Sequence, residues 1–392
     1  MGTNIIMIPF IDLKTQYKLL ADDIASGING VLEHGQFILG PEVADLEKRL
    51  AEFTEVEHAI TCSSGTDALL MPLMAQSIGP GDLVFTTPFT FIATAEVISL
   101  LGAIPVFVDI DPKTFNIDPA KLKLAIEAAQ TQNRKIYPLP QNIPSAATPK
   151  VIITVDLFGL PSDYDAIMEI AKQENLFVLE DAAQGFGGIY KGRKAGGLGH
   201  AGATSFFPAK PLGCYGDGGA IFTNDQELAD KILSIRVHGQ GRDKYQNIRI
   251  GLNARLDTIQ AAVLLPKLKI FPQELTARQQ VAQNYNNALA DLQDKITTPF
   301  VPEDHKSSWA QYSLLANDRE SIQQELKQAG IPTAIYYPLP LHLQTAFGDL
   351  GYQAGDFPVS ESISRQIFSL PMHPYVDEGL VSRIAGVIHS VV

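Results

Sequence analysis

The chain has 392 residues, 45% hydrophobic and 19% charged, which is soluble-protein composition with core material for two units rather than one ordinary domain. A net charge of -13 leaves no surplus of lysine and arginine to neutralise a nucleic-acid backbone, which excludes nucleic acid as the main partner. A phosphorylated small molecule is not excluded, because it needs only a local cluster of donors.

The two cysteines, Cys62 and Cys214, cannot build a disulfide framework, and no chemistry is assigned to either. The early apolar run from Ile5 to Phe10 is broken by Pro9 and is too short for a signal segment or a membrane span. Ile6 stands where a myristoylation pattern after Gly2 would need Ser or Thr. A cytoplasmic protein with no membrane partner is expected.

In chain order, helices are expected around Leu19–Leu32 and Gly40–Phe53. From there to Thr223, short β-branched runs alternate with longer helical patterns. Strands are expected at Ala59–Cys62, Leu83–Thr86, Ile104–Asp109, Val151–Val155, Phe177–Glu180, Ala203–Phe207 and Ala220–Thr223. Helices fall between most of them, at Thr66–Gln76, Ala93–Leu101, Pro119–Ala129 and Tyr164–Gln173. The alternation predicts α layers on a mostly parallel, buried sheet. Gln130–Lys150, with four prolines and little periodicity, reads as a long surface loop.

A helical region from Asp257 to about Leu292 is expected to break near Pro266 and Pro272. Strand-like Trp309–Leu315 and Pro332–Tyr337, with helical Arg319–Ala329 and Val376–Val391, suit a smaller α+β unit. The division expected is residues 1–265 for the large unit and 266–392 for the small one.

Three motifs carry chemistry. In Ser205-Phe-Phe-Pro-Ala-Lys210, followed by Gly213 and Gly216-Asp-Gly-Gly219, a lysine sits just past a buried strand, at the carboxyl edge where α/β proteins place ligands. Desolvated there, it can act as a nucleophile toward an aldehyde, although a loop lysine is more often simply solvated. In Phe177-Val-Leu-Glu-Asp181-Ala-Ala-Gln184, an apolar strand ends in carboxylates at the same edge. Asp181 there can hold a pyridine nitrogen protonated, or merely cap a helix. Thr61-Cys-Ser-Ser64-Gly65-Thr66-Asp67-Ala68-Leu69 places small residues between strand and helix, a phosphate cradle or plain capping. Together, cradle, carboxylate and lysine at three strand ends are what a pyridoxal-phosphate site requires.

With Pro9-Phe-Ile-Asp-Leu13, Phe37-Ile-Leu-Gly-Pro41, Pro88-Phe-Thr-Phe-Ile-Ala-Thr94, Gly251-Leu-Asn-Ala-Arg255 and His373-Pro374, these motifs span nearly the whole chain. So arranged, the chain resembles the DegT-type aminotransferases, fold type I pyridoxal-phosphate enzymes that aminate keto sugars on nucleotide carriers. The resemblance implies a large three-layer α/β/α domain with a smaller C-terminal α+β domain, and a homodimer with shared active sites. It implies that Lys210 holds pyridoxal 5'-phosphate as a Schiff base and moves the proton, the cofactor alternating with pyridoxamine phosphate during turnover. Asp181 would pair with the ring nitrogen and Gln184 would reach the ring hydroxyl. Gly65, Thr66 and Ser205 would hold the phosphate, with Asn253 reaching in from the neighbouring subunit. Phe91 falls where the family stacks an aromatic ring on the cofactor, although a core phenylalanine reads the same way.

Arg236 and His238, in Ile235-Arg-Val-His-Gly239, match a segment near the sugar pocket. Tyr336, Tyr337 and His342 fall in a segment that the family brings near the active site; the tyrosines also suit a small-domain core. No metal is expected. Gln130–Lys150 departs from the family pattern, which crosses this point by a shorter link.

The amino donor implied is L-glutamate. The acceptor most similar members imply is a UDP-linked keto sugar aminated at C3, UDP-2-acetamido-2-deoxy-3-keto-glucuronic acid, on a route to the diacetamido sugars of surface polysaccharide such as O-antigen. A 4-keto-6-deoxy sugar nucleotide is the alternative within the family. A cofactor-dependent sugar dehydratase would carry histidine in place of Lys210, and a non-catalytic regulator would have no need of Lys210, Asp181 and Gln184 together.

Overall fold

The computed structural model describes residues 8–243 and 245–392; Gly2, Ile6 and the start of the Ile5–Phe10 run lie outside the described residues. Local chemistry sets the first boundaries. The Asp12 carboxylate accepts from Thr15 N (2.9 Å) and starts α1 (Leu13–His34), and Pro41 opens α2 (Pro41–Thr54) as its first residue.

The chain then alternates as expected. It runs β1 (His58–Cys62), α3 (Gly65–Ala75), β2 (Asp82–Thr86), α4 (Ala93–Leu100), β3 (Ile104–Phe107), α5 (Pro119–Thr131), β4 (Thr148–Val155), α6 (Tyr164–Glu174) and β5 (Phe177–Asp181). A two-residue hairpin, β6 (Ile189–Tyr190) and β7 (Arg193–Lys194), precedes β8 (Ala201–Ser205), β9 (Gly219–Thr223) and α7 (Gln226–Arg236). The β8 strand starts and ends two residues before the expected Ala203–Phe207.

Seven strands form one sheet in the order β1-β9-β8-β5-β4-β2-β3. Only β9 runs against the others, pairing antiparallel with both β1 and β8. Both faces are covered, which is why the strands read as continuous apolar runs. Val151 and Ile153 pack with Leu69 of α3, Val97 of α4 and Ile232 of α7 on one side. Ile152 between them packs with Leu122 of α5 and Ile167 of α6 on the other. Because the strands other than β9 are parallel, the carboxyl ends of β1, β4, β5 and β8 share one edge.

The expected break near Pro266 and Pro272 does not occur. Residues Thr258–Ala288 form one helix of 31 residues, α8, through both prolines. Packing overrides the local cost of proline. Leu264, Leu268 and Phe271 belong to the core under α2 and β9, whereas Val281, Ala282 and Tyr285 belong to the C-terminal core. The 265/266 division thus falls inside a helix common to both units.

The C-terminal unit holds β10 (Ile296–Thr297), β11 (His305–Lys306), β12 (Tyr312–Ala316), α9 (Arg319–Gln328), α10 (Pro358–Gln366), β13 (Ile367–Leu370) and α11 (Glu378–His389). Its sheet is β10-β12-β13, while β11 joins β6 of the large unit. Pro332–Tyr337 is not a strand; only Ala334 bridges to Ser369. Pro332 at its start and Pro338 just beyond its end lack an N–H to donate, which leaves too few paired neighbours for a ladder.

The expected surface loop between α5 and β4 is partly core. Tyr137, Leu139 and Pro140 are buried, Tyr137 OH accepts from Asp109 N (2.8 Å), and Gln141 N donates to Leu350 O (2.8 Å). The loop packs beside β3 at the sheet edge, shielding that edge rather than entering the cavity described next.

Candidate functional site

At the carboxyl edge, β1 runs into α3 through Ser64, whose Oγ accepts from Asp67 N (3.1 Å). Gly65 and Thr66 are the first two residues of that helix, so their N–H groups have no intrahelical acceptor and point outward at its positive end. A side chain at 65 is impossible here: a Cβ would stand 2.6 Å from Ser205 Cβ at the end of β8. The close approach of α3 to β8 brings Gly65, Thr66 and Ser205 to one wall of a cavity of about 530 Å³.

Asp181, 5% exposed, ends β5 at the floor of this cavity. It accepts from Thr94 Oγ1 (2.8 Å) and Ala183 N (3.2 Å). Burial pushes its carboxyl above the usual range, opposed by those two hydrogen bonds and by the Lys210 charge. Lys210 lines the same cavity; burial lowers its amine below the ordinary lysine range, and the Asp181 charge opposes the change. A buried acid and a partly desolvated amine thus face one space.

Gln184 is held at both ends of its amide. Oε1 accepts from Phe158 N (2.7 Å) and Nε2 donates to Tyr337 OH (2.5 Å), leaving one amide hydrogen for a ligand. Tyr337 in turn stacks on Phe158, with ring centroids 6.1 Å apart. Tyr336 and Tyr337 line the cavity beside Gln311, so these tyrosines serve the wall as well as the adjoining core. Phe91 also lines it and is 58% exposed, which removes the core reading for that ring.

Other expected residues lie elsewhere. Arg236 is buried and occupied: Nη1 donates to Glu47 Oε1 (2.6 Å) and Thr61 O (3.1 Å), tying α7 to α2 and β1. His342 is buried against Phe357 and hydrogen-bonds Glu361 through Nε2 (3.1 Å). His238 is exposed at a left-handed turn (φ 58°) and lines no part of the cavity. None of these three lines this chain's own cavity: Arg236 ends α7 on a buried ion pair, His342 is held by Glu361, and His238 sits at the surface. Asn253 also lies outside the cavity, in a cleft of about 380 Å³ with Ser63 and Arg255.

Arg236→Met is expected to lower stability by roughly 2–3 kcal/mol, because it strands the partly buried Glu47 carboxylate. Denaturant unfolding would measure that loss, with ligand affinity of the folded fraction unchanged. A loss of affinity without loss of stability would return Arg236 to the binding site.

Thr94 and Gln311 were missed by sequence reasoning. Thr94 closes the Pro88–Thr94 motif, and a hydroxyl one helical turn from exposed Phe91 was the available signal. Gln311 carried none. Among the described residues, no group of three or more His, Cys, Asp or Glu could hold a metal ion, and no helix is long and apolar enough to cross a membrane.

A family model described as the DegT/DnrJ/EryC1/StrS aminotransferase family matches residues 19–389. Among curated proteins, UDP-2-acetamido-2-deoxy-3-oxo-D-glucuronate aminotransferase of Pseudomonas aeruginosa is 49% identical over 382 residues, 97% of this chain and 99% of its own. A pleiotropic regulatory protein of Geobacillus stearothermophilus is 43% identical over 372 residues, 95% of each chain. The crystal structure of a DegT DnrJ EryC1 StrS aminotransferase from Brucella abortus is 50% identical, with a TM-score of 0.92 over 98% of this chain and 99% of that one. NtdA from Bacillus subtilis with bound cofactor PMP is 30% identical, with a TM-score of 0.85 over 100% of this chain and 86% of that one.

Proposed function

Because the chain belongs to the DegT/DnrJ/EryC1/StrS aminotransferase family, we propose that it moves the amino group of L-glutamate to C3 of UDP-2-acetamido-2-deoxy-3-keto-glucuronic acid, using pyridoxal 5'-phosphate. The observation that carries the reading is Lys210 and Asp181 facing one cavity whose wall is a bare helix N-terminus. Similarity to the Pseudomonas enzyme along almost the whole chain supports the acceptor.

The cavity fits the cofactor on three counts. Gly65 and Thr66 present two N–H groups without intrahelical acceptors beside the Ser205 hydroxyl, a donor set suited to a phosphate. Asp181 is a buried carboxylate suited to a protonated ring nitrogen, and the remaining Gln184 amide hydrogen suits a ring hydroxyl. When bound, the cofactor supplies an electron sink and a temporary carrier for the amino nitrogen.

The chain's residues do the rest. Lys210 Nζ, with its amine lowered by burial, could take the proton from the donor's Cα and hand it on from the same face rather than give it back to that carbon. Asp181 keeps a proton at the ring nitrogen, and Thr94 and Ala183 keep Asp181 aimed. Phe91 would cover one face of the bound cofactor, and Gln184 with Tyr337 would hold its edge.

A homodimer completes the site. Asn253 lines a separate cleft beside Ile38, and Leu19, Phe37, Ile38 and Ile250 are exposed apolar side chains suited to burial by a second copy that receives Asn253. The enzyme is placed in the cytoplasm, on a route to O-antigen-type surface polysaccharide.

Two experiments test this. The protein with pyridoxal phosphate and L-glutamate, but no sugar, should release about one 2-oxoglutarate per site, then turn over repeatedly once the UDP-linked 3-keto uronate is added. No 2-oxoglutarate would point to a regulator that only binds the cofactor. Mixing inactive Lys210→Ala with inactive Asn253→Ala chains should restore about a quarter of wild-type activity, since half the dimers would hold one intact site of two. Mixtures that stay inactive would end the shared-site reading.

A further inference from the structure

Behind the floor of the cavity, Asp156 just past β4 and Glu180 on β5 lie together, both fully buried. Asp156 Oδ1 accepts from Ser162 N (3.0 Å) and Tyr164 OH (2.9 Å). The Glu180 oxygens accept from Gly196 N and Leu198 N. Asp156 Oδ2 receives no N–H or hydroxyl donor among the described residues, and the Asp156 side chain lies within hydrogen-bonding reach of the Glu180 carboxyl. Two carboxyl groups can hydrogen-bond only if one carries a proton. Both Glu180 oxygens already receive N–H groups, so the donor is Asp156.

The surroundings offer nothing to neutralise a second charge. The titratable groups facing the pair are Tyr164 from α6, whose hydroxyl already points at Asp156, and Asp181 at the end of β5. Tyr190 of β6 packs edge-on against the Tyr164 ring and turns its hydroxyl to Asp163. Neither carboxyl has a lysine or arginine among its main electrostatic partners.

We propose that Asp156 and Glu180 share one proton, held on Asp156, and that this pair positions Asp181 and Gln184 at the cavity floor. The proposal rests on the reading of those two side chains as cofactor-facing. The links are short. Asp156 N donates to Asp181 O (3.1 Å), locking the two strand ends together. Asp156 lies so close beneath Gly185, the residue after Gln184, that a Cβ there would stand 2.4 Å from Asp156 Cβ. Phe158, two residues on, donates its N–H to Gln184 Oε1. Removing the shared proton would set two bare carboxylates in contact in a dry interior and push these segments apart.

A pH signature follows. Burial, reinforced by the neighbouring charge, holds Asp156 well above the usual carboxylate range, and burial raises Glu180 to about 7. The unfolded chain gives up these protons near pH ~4, whereas the folded one keeps the shared proton past neutrality. Stability from it is therefore full in acid below the unfolded value and is lost as pH rises toward the folded value. The folding constant should fall by up to about tenfold per pH unit for this one proton.

Two amide variants separate the roles. Asp156→Asn puts an N–H where the carboxyl O–H was and keeps an acceptor for Ser162 and Tyr164. Glu180→Gln must turn an N–H toward the N–H of Gly196 or Leu198. The experiment measures denaturant unfolding of cofactor-free protein from about pH 6 to about pH 8.5, and pyridoxal phosphate affinity by quenching of the single tryptophan, Trp309. Asp156→Asn should bind within about threefold of wild type while its folding constant depends less on pH; Glu180→Gln should bind at least about tenfold more weakly or fail to fold. Equal pH slopes in wild type and Asp156→Asn would overturn the proposal. So would a Glu180→Gln variant tolerated as well as Asp156→Asn. The slope is read without cofactor, so failure of the functional reading would leave it intact.

Discussion

Replacing Lys210 by alanine is expected to give a folded, colourless protein whose transamination rate falls by at least about a thousandfold. The effect is large because one nitrogen has two duties, capturing the aldehyde and moving the proton at the donor's Cα. Among the described residues no other amine lines the cavity, so none of them can substitute. Folding should survive: Lys210 lies in the turn after β8, and Asp181 keeps its hydrogen bonds from Thr94 and Ala183 without it. The measurement is the visible spectrum of the protein with pyridoxal phosphate, followed by single-turnover kinetics with L-glutamate. A wild-type visible band that bleaches with glutamate, and is missing from the variant, is the expected pair of results. A variant with the same band would remove Lys210 from the centre of the mechanism.

Asp181→Asn is expected to bind the cofactor within about tenfold of wild type but to slow the glutamate half-reaction by about a hundredfold to a thousandfold. Asparagine keeps nearly the same shape, and its oxygen can still accept from Thr94 or Ala183. What it cannot supply is a negative charge, and its own N–H donors cannot hold a proton on a ring nitrogen. The phosphate contacts proposed for Gly65, Thr66 and Ser205 would be untouched, so affinity should survive. Stopped-flow single turnovers isolate the affected step. A rate within threefold of wild type would mean that another group performs the role given to Asp181.

The large sheet was legible in the sequence because its strands are buried on both faces and separated by helices of ordinary length. Val151–Val155 could hardly be anything else. The site was legible because Gly65, Asp181 and Lys210 each follow such a strand, and parallel strands bring distant residues to one edge. Where reading failed, tertiary partners decided. Nothing local says that Pro266 will sit inside α8, since the compensation comes from Leu264, Leu268 and Phe271 packing on α2 and β9. Arg236 looked available because Glu47, its partner, is 189 residues away in sequence. The loop around Tyr137 looked exposed because its acceptor role toward Asp109 N exists only once β3 is in place.

The unbroken α8 helix also has a mechanical meaning. At about 1.5 Å per residue it is a rod on the order of 46 Å long, with one end set in each core. Its two prolines leave the carbonyls of Ala262 and Leu268 without their usual helical donors, so stiffness is lowest at the large-unit anchorage, where Leu264, Leu268 and Phe271 hold the rod. Any closing of the small unit over the cavity is then a flexing of this rod rather than a swing about a loop.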